Sequence, residues 1–487
     1  MNHSQKFGAG TRILTQGQIE EINTYTLELL ERIGVWVQSK EALDILGRAG
    51  CDVRNEKRVK IPRKLVLEAI EEAPKEIKVF DRHGELAMTL KTDACYYGTG
   101  SDCPFHIDFE NSQRRITVKK DVEELTRFCD ALPNIDFIMS FGIATDAPPG
   151  SNFVHQYEAM LLNTAKPVIV TGHGRRDMTA MIDMAAAASG GYKAVKECPP
   201  LILYSEPVSP LVHTEMGVVK GFVCADHGVP FIYIGSPMMG GSGPATWAGI
   251  LTQANAECLS GLVIFQKRNP GAKFIYGGDA TCLDMRDSIF AYGAPELNVL
   301  NAGLADLAHH YGLPYFCIAG STDSKTLDAQ AGVEYALSIY LATLNGCNII
   351  HDCGYLEQGL TSSFESVLFA DEVIDMVKYM VRPFEVSEKT VPMAVFDRVG
   401  PGGSFLIDSH TAENFRKTLW FPRLMDRTRS GTERSAQDRG MWARLHAKVL
   451  EIRSTLKTTR LSDTVEKKIT DIVKKHVPDV EHGSRGA

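Results

Sequence analysis

Eight short apolar segments recur along this chain, at 94–98, 136–141, 167–172, 201–205, 230–235, 273–278, 314–320 and 348–351. Their starts lie about 30 to 45 residues apart, which leaves room for a strand, a loop and a helix in each interval. The pieces between them, such as 121–131, 153–163, 246–265 and 296–310, carry apolar residues at helical spacing. Parallel strands need such crossovers, and eight of them close into a ring. The pattern therefore predicts an α/β protein with a (β/α)₈ TIM barrel over 93–384. A doubly wound open sheet is the alternative. In the first unit the helix starts late, at Asp121, so a hairpin fits between strand and helix.

The flanks read differently. Residues 1–92 predict a helical cap: Ile19, Ile22, Leu29, Leu30 and Ile33 share a helical face, Gly34 stops it, Ser39 caps a second helix and Pro62 opens a third. Residues 385–487 predict a mostly helical extension. A strand pair is expected around 393–396 and 404–407, then amphipathic helices at 442–456 and 465–475, then a polar tail that is mobile from His482 on.

Composition narrows the class. A formal charge of −8 argues against a nucleic-acid footprint. The eleven cysteines contain no C-x-x-C pair and read as reduced thiols of a cytoplasmic protein. No run of about 18 apolar residues appears, and the polar start is unlike a signal peptide, so no membrane partner is expected. Exposed helices with evenly spread charge suit a homo-oligomer.

In a barrel, the chemistry gathers where the strands end. Those ends carry Tyr97 with Asp102, Gly142, His173, Glu206, Ser236, Asp279, Gly320 with Asp323, and His351. The richest loop runs 320–332, G-S-T-D-S-K-T-L-D-A-Q-A-G, with Asp323, Lys325, Asp328 and Gln330 close together. No H-x-H, H-E-x-x-H or C-x-x-C spacing occurs, so no metal site is expected. The loop 235–244, G-S-P-M-M-G-G-S-G-P, matches no phosphate or dinucleotide fingerprint. It suits either a tight turn or a surface that a large flat ligand approaches closely, through Gly240, Gly241 and Ser242.

Five stretches, taken in order, resemble the trimethylamine methyltransferase family. They are S-E-P-V-S-P-L at 205–211, G-S-P-M-M-G-G-S-G-P at 235–244, Y-G-A-P-E-L at 292–297, S-T-D-S-K-T-L-D-A-Q-A-G at 321–332 and G-S-F-L-I-D-S-H-T at 403–411. The resemblance implies a barrel that passes a methyl group from a methylamine or betaine to the cobalt of a separate corrinoid protein. Trimethylamine enzymes of the family carry pyrrolysine at the end of the seventh strand, where this chain has Gly320 and Ser321. That departure resembles the family's non-pyrrolysine branch, and implies a donor that is already a good leaving group, a quaternary amine. Glycine betaine, giving dimethylglycine, is the favoured donor; proline betaine, carnitine and γ-butyrobetaine meet the same need.

The implied chemistry assigns roles. A trimethylammonium group donates no hydrogen bond and is held by aromatic faces and diffuse negative charge. Among Tyr96, Tyr97, Tyr204, Tyr355 and Phe364, the expected cage is Tyr97 with Phe364. His351 and His173 are donors for a substrate carboxylate, while Glu206 and Asp323 position without bonding covalently. Cob(I)alamin, methylated to methylcobalamin on its carrier, is expected over Gly240, Gly241, Ser242, Gly320 and Ser321, with Lys325 and Gln330 reaching its amide arms. Asp408-Ser409-His410 resembles a cobalamin-binding D-x-H-x-x-G motif, but Glu413 replaces its glycine and too short a stretch follows. The corrinoid is therefore expected on another protein. A cobalamin-dependent isomerase and a non-catalytic betaine-binding protein are the readings from other classes.

Overall fold

The computed structural model describes residues 10–91, 94–432, 440–456 and 460–476. Seven strands form one parallel sheet. Their order is Tyr96–Tyr97, Ile349–His351, Tyr315–Ile318, Phe274–Gly277, Phe231–Tyr233, Leu201–Ser205 and Val168–Val170. The gap between the first and last is closed by the 136–141 segment through the parallel bridges Gly98↔Phe137 and Ile138↔Val168. The Ile138 amide donates to Pro167 O at 3.0 Å, and the Ile169 amide to Ile138 O at 2.9 Å. The eight segments expected from the sequence thus form a closed ring.

A helix follows every strand: Lys119–Asp130, Asn152–Asn163, Arg175–Ser189, Glu215–His227, Trp247–Arg268, Pro295–Tyr311, Ala329–Leu344 and Phe364–Val381. Strand side chains alternate between two cores, as the two-residue period of a strand requires. Ile202, Ile232, Ile275, Phe316 and Ile349 fill the barrel. Leu203, Phe231, Phe274, Tyr315 and Ile350 face the helices. The helix Trp247–Arg268 is long and apolar enough to cross a membrane by composition, but 83% of its apolar window is buried. It is a core helix, wedged between the barrel and the N-terminal helices.

Three local readings change. The N-terminal part holds the helices Gln16–Glu28, Lys40–Ala49 and Arg63–Glu72, but also an antiparallel hairpin, Ile77–Phe80 with Leu86–Leu90. Ile77, Val79, Met88 and Leu90 alternate inward and plug the end of the barrel opposite the strand C-termini. The strand pair expected at 393–396 and 404–407 is absent among the described residues: Met393–Val399 is a helix and Phe405–Ile407 a 3-10 turn. The apolar letters there are too few and too irregular to fix a period. The hairpin expected before Asp121 is present as Phe105–Ile107 and Arg114–Ile116. Met441–Thr455 and Asp463–His476 are helices packed on Phe364–Val381 and Arg175–Ser189. The polar tail from His482 lies outside the described residues.

Candidate active site

Strand parity decides which side chains reach the barrel mouth. Along Leu201–Ser205, Ile202 faces inward, so Tyr204 and then Glu206 do as well. Inward parity on the neighbouring strands brings up Ser236, Asp279 and His351 above Phe316. The Tyr204 hydroxyl donates to Glu206 Oε2 at 3.0 Å and lies 3.5 Å from Asp279 Oδ2. Ser236 Oγ lies 3.5 Å from the same Glu206 oxygen. The Phe316 and His351 rings stack at 4.0 Å, with Tyr204 tilted against both at 5.6 and 6.2 Å.

His351 sits between two carboxylates. Its Nδ1 is 2.6 Å from Asp352 Oδ1, and its Nε2 is 3.7 Å from Asp279 Oδ1. Burial works against charge on this ring, but the two acids outweigh it and hold its pKa at about 10. The ring is therefore an imidazolium at neutral pH. Burial pushes the Glu206 and Asp279 carboxyls above the usual carboxylate range. Asp102 is raised for the same reason; it accepts from Gln156 Nε2 at 2.7 Å and Thr171 Oγ1 at 3.0 Å.

A second aromatic wall faces this cluster. Tyr355 stacks on Phe141 at 5.9 Å and meets Tyr292 edge-on at 6.2 Å. Burial, then the nearby Asp352, Asp279 and Glu206, push the Tyr292 phenol up, which puts that ring close to the same acids. Gly100 lets this wall approach: a Cβ there would collide with Asp352 and Tyr355. Apart from His351 Nδ1, which faces Asp352, several buried polar atoms have no hydrogen-bond partner among the described residues: His351 Nε2, Asp279 Oδ1 and Ser321 Oγ. Buried polar atoms are rarely left so, and this set sits on three adjacent strands at one mouth.

Not every expected residue meets this cluster. Tyr97 is fully buried outside the barrel, its hydroxyl 2.8 Å from Thr343 Oγ1 and Lys378 Nζ 5.0 Å over its ring. Parity explains it, because the neighbouring Tyr96 takes the inward place. Phe364 is likewise core, edge-on to His106 at 5.5 Å and Phe128 at 5.1 Å. His173 lies half-exposed, 3.1 Å from Asp177 and against Phe153. Glu206 and His351 lie in the cluster. The aromatic rings that the structure gathers at the mouth are instead Tyr204, Phe316, Tyr292 and Tyr355; inward parity on the fourth and seventh strands was the signal for the first two.

The two loops expected to receive a corrin are packed more tightly than their glycines suggest. Gly320 has φ +72°, and a Cβ there would lie 3.0 Å from Cys353 Cα and 3.2 Å from Ile339 Cδ1. Its missing side chain points into the barrel wall, a correction to the open surface expected. Gly240 (φ +85°) and Gly241 approach Met285 and Leu283 of the hairpin Thr281–Asp284 with Ile289–Phe290. Ser242 Oγ accepts from the Met238 amide at 2.9 Å. Ser321 is buried beside Tyr355. Asp323, its pKa raised by burial, accepts from the Tyr292 amide at 2.9 Å and so ties that aromatic loop to the rim. Lys325 and Gln330 are exposed, bonded to Asp323 O at 3.1 Å and Glu334 Oε1 at 2.9 Å. No group of three or more His, Cys, Asp or Glu among the described residues is arranged to hold a metal ion.

The family profile of trimethylamine methyltransferase (MTTB) matches residues 4–480. The chain belongs to the trimethylamine methyltransferase family. It is a methyltransferase. Members similar to it include a trimethylamine methyltransferase MttB of Desulfitobacterium hafniense (strain DSM 10664 / DCB-2), 33% identical over 428 residues, 86% of this chain and 85% of that protein. A glycine betaine methyltransferase of Desulfitobacterium hafniense (strain Y51) is 31% identical over 420 residues, 85% of this chain and 87% of that protein. Among solved structures, the monomethylamine methyltransferase MtmB of Methanosarcina barkeri aligns with a TM-score of 0.50 at 12% identity, covering 93% of this chain and 90% of that one. That likeness is one of fold, and it supports the barrel.

Proposed function

We propose that this methyltransferase takes its methyl group from a carboxylate-bearing quaternary amine of the glycine betaine class. The acceptor in this reading is the Co(I) of a corrinoid carried by a separate protein. The observation that carries it is the pairing, at one mouth, of aromatic rings and buried carboxylates with donors at His351 Nε2 and Ser321 Oγ that have no hydrogen-bond partner among the described residues.

A trimethylammonium group is attracted by ring faces and by diffuse negative charge, and offers no proton to accept. Tyr204, Phe316, Tyr292 and Tyr355 supply the faces. Glu206 and Asp279 supply the field. Two fully ionised acids in direct contact would favour the bound cation over the departing neutral amine and slow the reaction. Hydrogen bonding of Glu206 with Tyr204 and Ser236, and the His351 ring beside Asp279, offset part of that charge. The imidazolium of His351 and the Ser321 hydroxyl are donors for the carboxylate at the other end of a zwitterion. Co(I) is a strong nucleophile, so the protein has mainly to align the N–CH₃ bond and exclude water.

The absence of pyrrolysine from all 487 residues supports the quaternary donor, because nothing at Gly320 or Ser321 forms an adduct with an ordinary amine. Calorimetric titration of the chain alone tests the binding half. Glycine betaine is expected to bind more tightly than choline, which lacks the carboxylate, and than trimethylammonium. Equal affinity for all three would remove His351 and Ser321 from the reading.

A further inference from the structure

In the helix Glu215–His227, every position from 217 to 224 is buried and uncharged except Lys220. It is the one charged residue between Glu215 and Asp226. Among the described residues it makes no hydrogen bond and no ion pair. An ammonium carries three donors, and taking it out of water without a partner is costly. We propose that Lys220 is the specificity-determining residue of the mouth, the charge that selects a donor with an acidic end over one that is only a cation. This rests on the reading of the donor as a carboxylate-bearing quaternary amine, and names the group that enforces it.

The fold carries this side chain to the mouth. Each barrel helix begins where its strand ends, so its N-terminus lies on the mouth side. Ser205 Oγ donates to Gly217 O at 2.9 Å, and a Cβ on Gly217 would lie 2.7 Å from Glu206 O. The first turn is thus pressed against the strand end that carries Glu206. Lys220 stands three residues on, on the neighbouring part of the same face. Helical side chains lean towards the N-terminus of their helix, which directs its stem back up to the mouth. The helix Arg175–Ser189 packs alongside, with Asp177 in its first turn. Burial draws the Lys220 pKa down from 10.5, and Glu206, then Asp102 and Asp177, hold it up. Each of these acids is engaged elsewhere: Glu206 with Tyr204, Asp102 with Gln156 and Thr171, Asp177 with the amide and ring of His173.

His351, the other cation of the mouth, stands between Asp352 and Asp279, which match its charge. Lys220 has no acid in contact with it. A bare cation such as choline therefore meets Lys220 as repulsion, and the carboxylate of a betaine meets it as attraction. The rings and acids of the mouth serve the trimethylammonium end of both ligands alike, so the choice between them falls to the unmatched charge. Specificity of this kind comes as much from penalising the wrong ligand as from holding the right one. His351 Nε2 and Ser321 Oγ remain hydrogen-bond donors in this arrangement, and Lys220 supplies the net charge.

Calorimetric titration of the wild type, Lys220→Met and Lys220→Arg with glycine betaine, γ-butyrobetaine and choline tests this. Lys220→Met is expected to lose about tenfold or more of its betaine affinity and to bind choline as well as the wild type or better. Lys220→Arg, which keeps the charge, is expected to retain the preference. An equal loss for betaines and choline in Lys220→Met would make Lys220 a packing residue and overturn the inference. So would a betaine preference that survives in Lys220→Met; that result leaves the donor class standing and returns the selection to His351. A wild type that prefers neither betaine over choline would fail the donor reading itself, and the inference with it. A measurement on the wild type covers a variant that does not fold. Acylation of Lys220 by an N-hydroxysuccinimide ester, read by peptide mass spectrometry, is expected to slow more in saturating betaine than in saturating choline, because a bound carboxylate keeps the ammonium protonated. Equal protection by the two ligands would overturn the inference.

Discussion

Replacing His351 with Gln tests the electrostatic core of the mouth. The imidazolium lies within 2.6 Å of Asp352 and 3.7 Å of Asp279 and is almost fully buried. Removing one partner of a buried ionic cluster costs about 3–5 kcal/mol, because the remaining charges keep their desolvation without compensation. The pKa gives the same scale: a rise from 6.5 to about 10 corresponds to ~5 kcal/mol, an upper figure because the raised Asp279 offsets part of it. Since the folded pKa lies above the unfolded one, this stabilisation is complete below about pH 6.5 and is lost as pH climbs towards 10. Urea unfolding at fixed protein concentration, followed by tryptophan fluorescence, is the assay. At pH 6 the His351→Gln protein is expected to be several kcal/mol less stable than the parent, and the gap should narrow by pH 10. Adding Asp352→Asn should cost less than the sum of the two single changes. A loss under about 1 kcal/mol, a gap that widens with pH, or strict additivity would refute the reasoning.

Other positions separate site from scaffold. Tyr204→Ala and Phe316→Ala are expected to weaken betaine binding by about 1–2 kcal/mol each, read by calorimetry, with Tyr204→Phe milder. Tyr97→Ala and Phe364→Ala are expected to lower stability by about 3–5 kcal/mol, while folded protein keeps its betaine affinity; a selective loss of binding would return them to the site. Gly100→Ala should block substrate binding, because its methyl would occupy the space of Asp352 and Tyr355. Gly320→Ala should instead reduce stability, through its positive φ and its contact with Cys353, as measured by the urea midpoint.

The barrel was legible because eight strand-length apolar runs alternate with helical ones, and that pattern has few solutions. Even the closing segment at 136–141, held by isolated bridges, lay in the right place. The hairpin plug was harder to see, since Ile77–Phe80 is a short alternating run with nothing beside it to show a second strand. At the mouth, Glu206 and His351 were read from their places at strand ends. The aromatic choice went astray at Tyr96-Tyr97, where two like residues face opposite ways and only strand register separates them. Phe364 follows the last strand closely in sequence, yet the ladder Phe105–Ile107 with Thr361–Ser362 folds it into the outer core. The role of Asp352 needed its neighbour His351 to be placed first. Tyr292 reaches the mouth on a loop tied down by Asp323, and that contact between distant loops leaves no local signal.

The central claim is the donor. It is tested most directly by mixing the enzyme with its cognate corrinoid protein in the Co(I) state and following the conversion to methyl-Co(III) by absorbance. Glycine betaine, other quaternary amines and trimethylamine are compared at equal concentration. The account predicts rapid methylation from glycine betaine or a close carboxylate-bearing relative and none from trimethylamine. Rapid turnover of trimethylamine, with betaines inert, would contradict it.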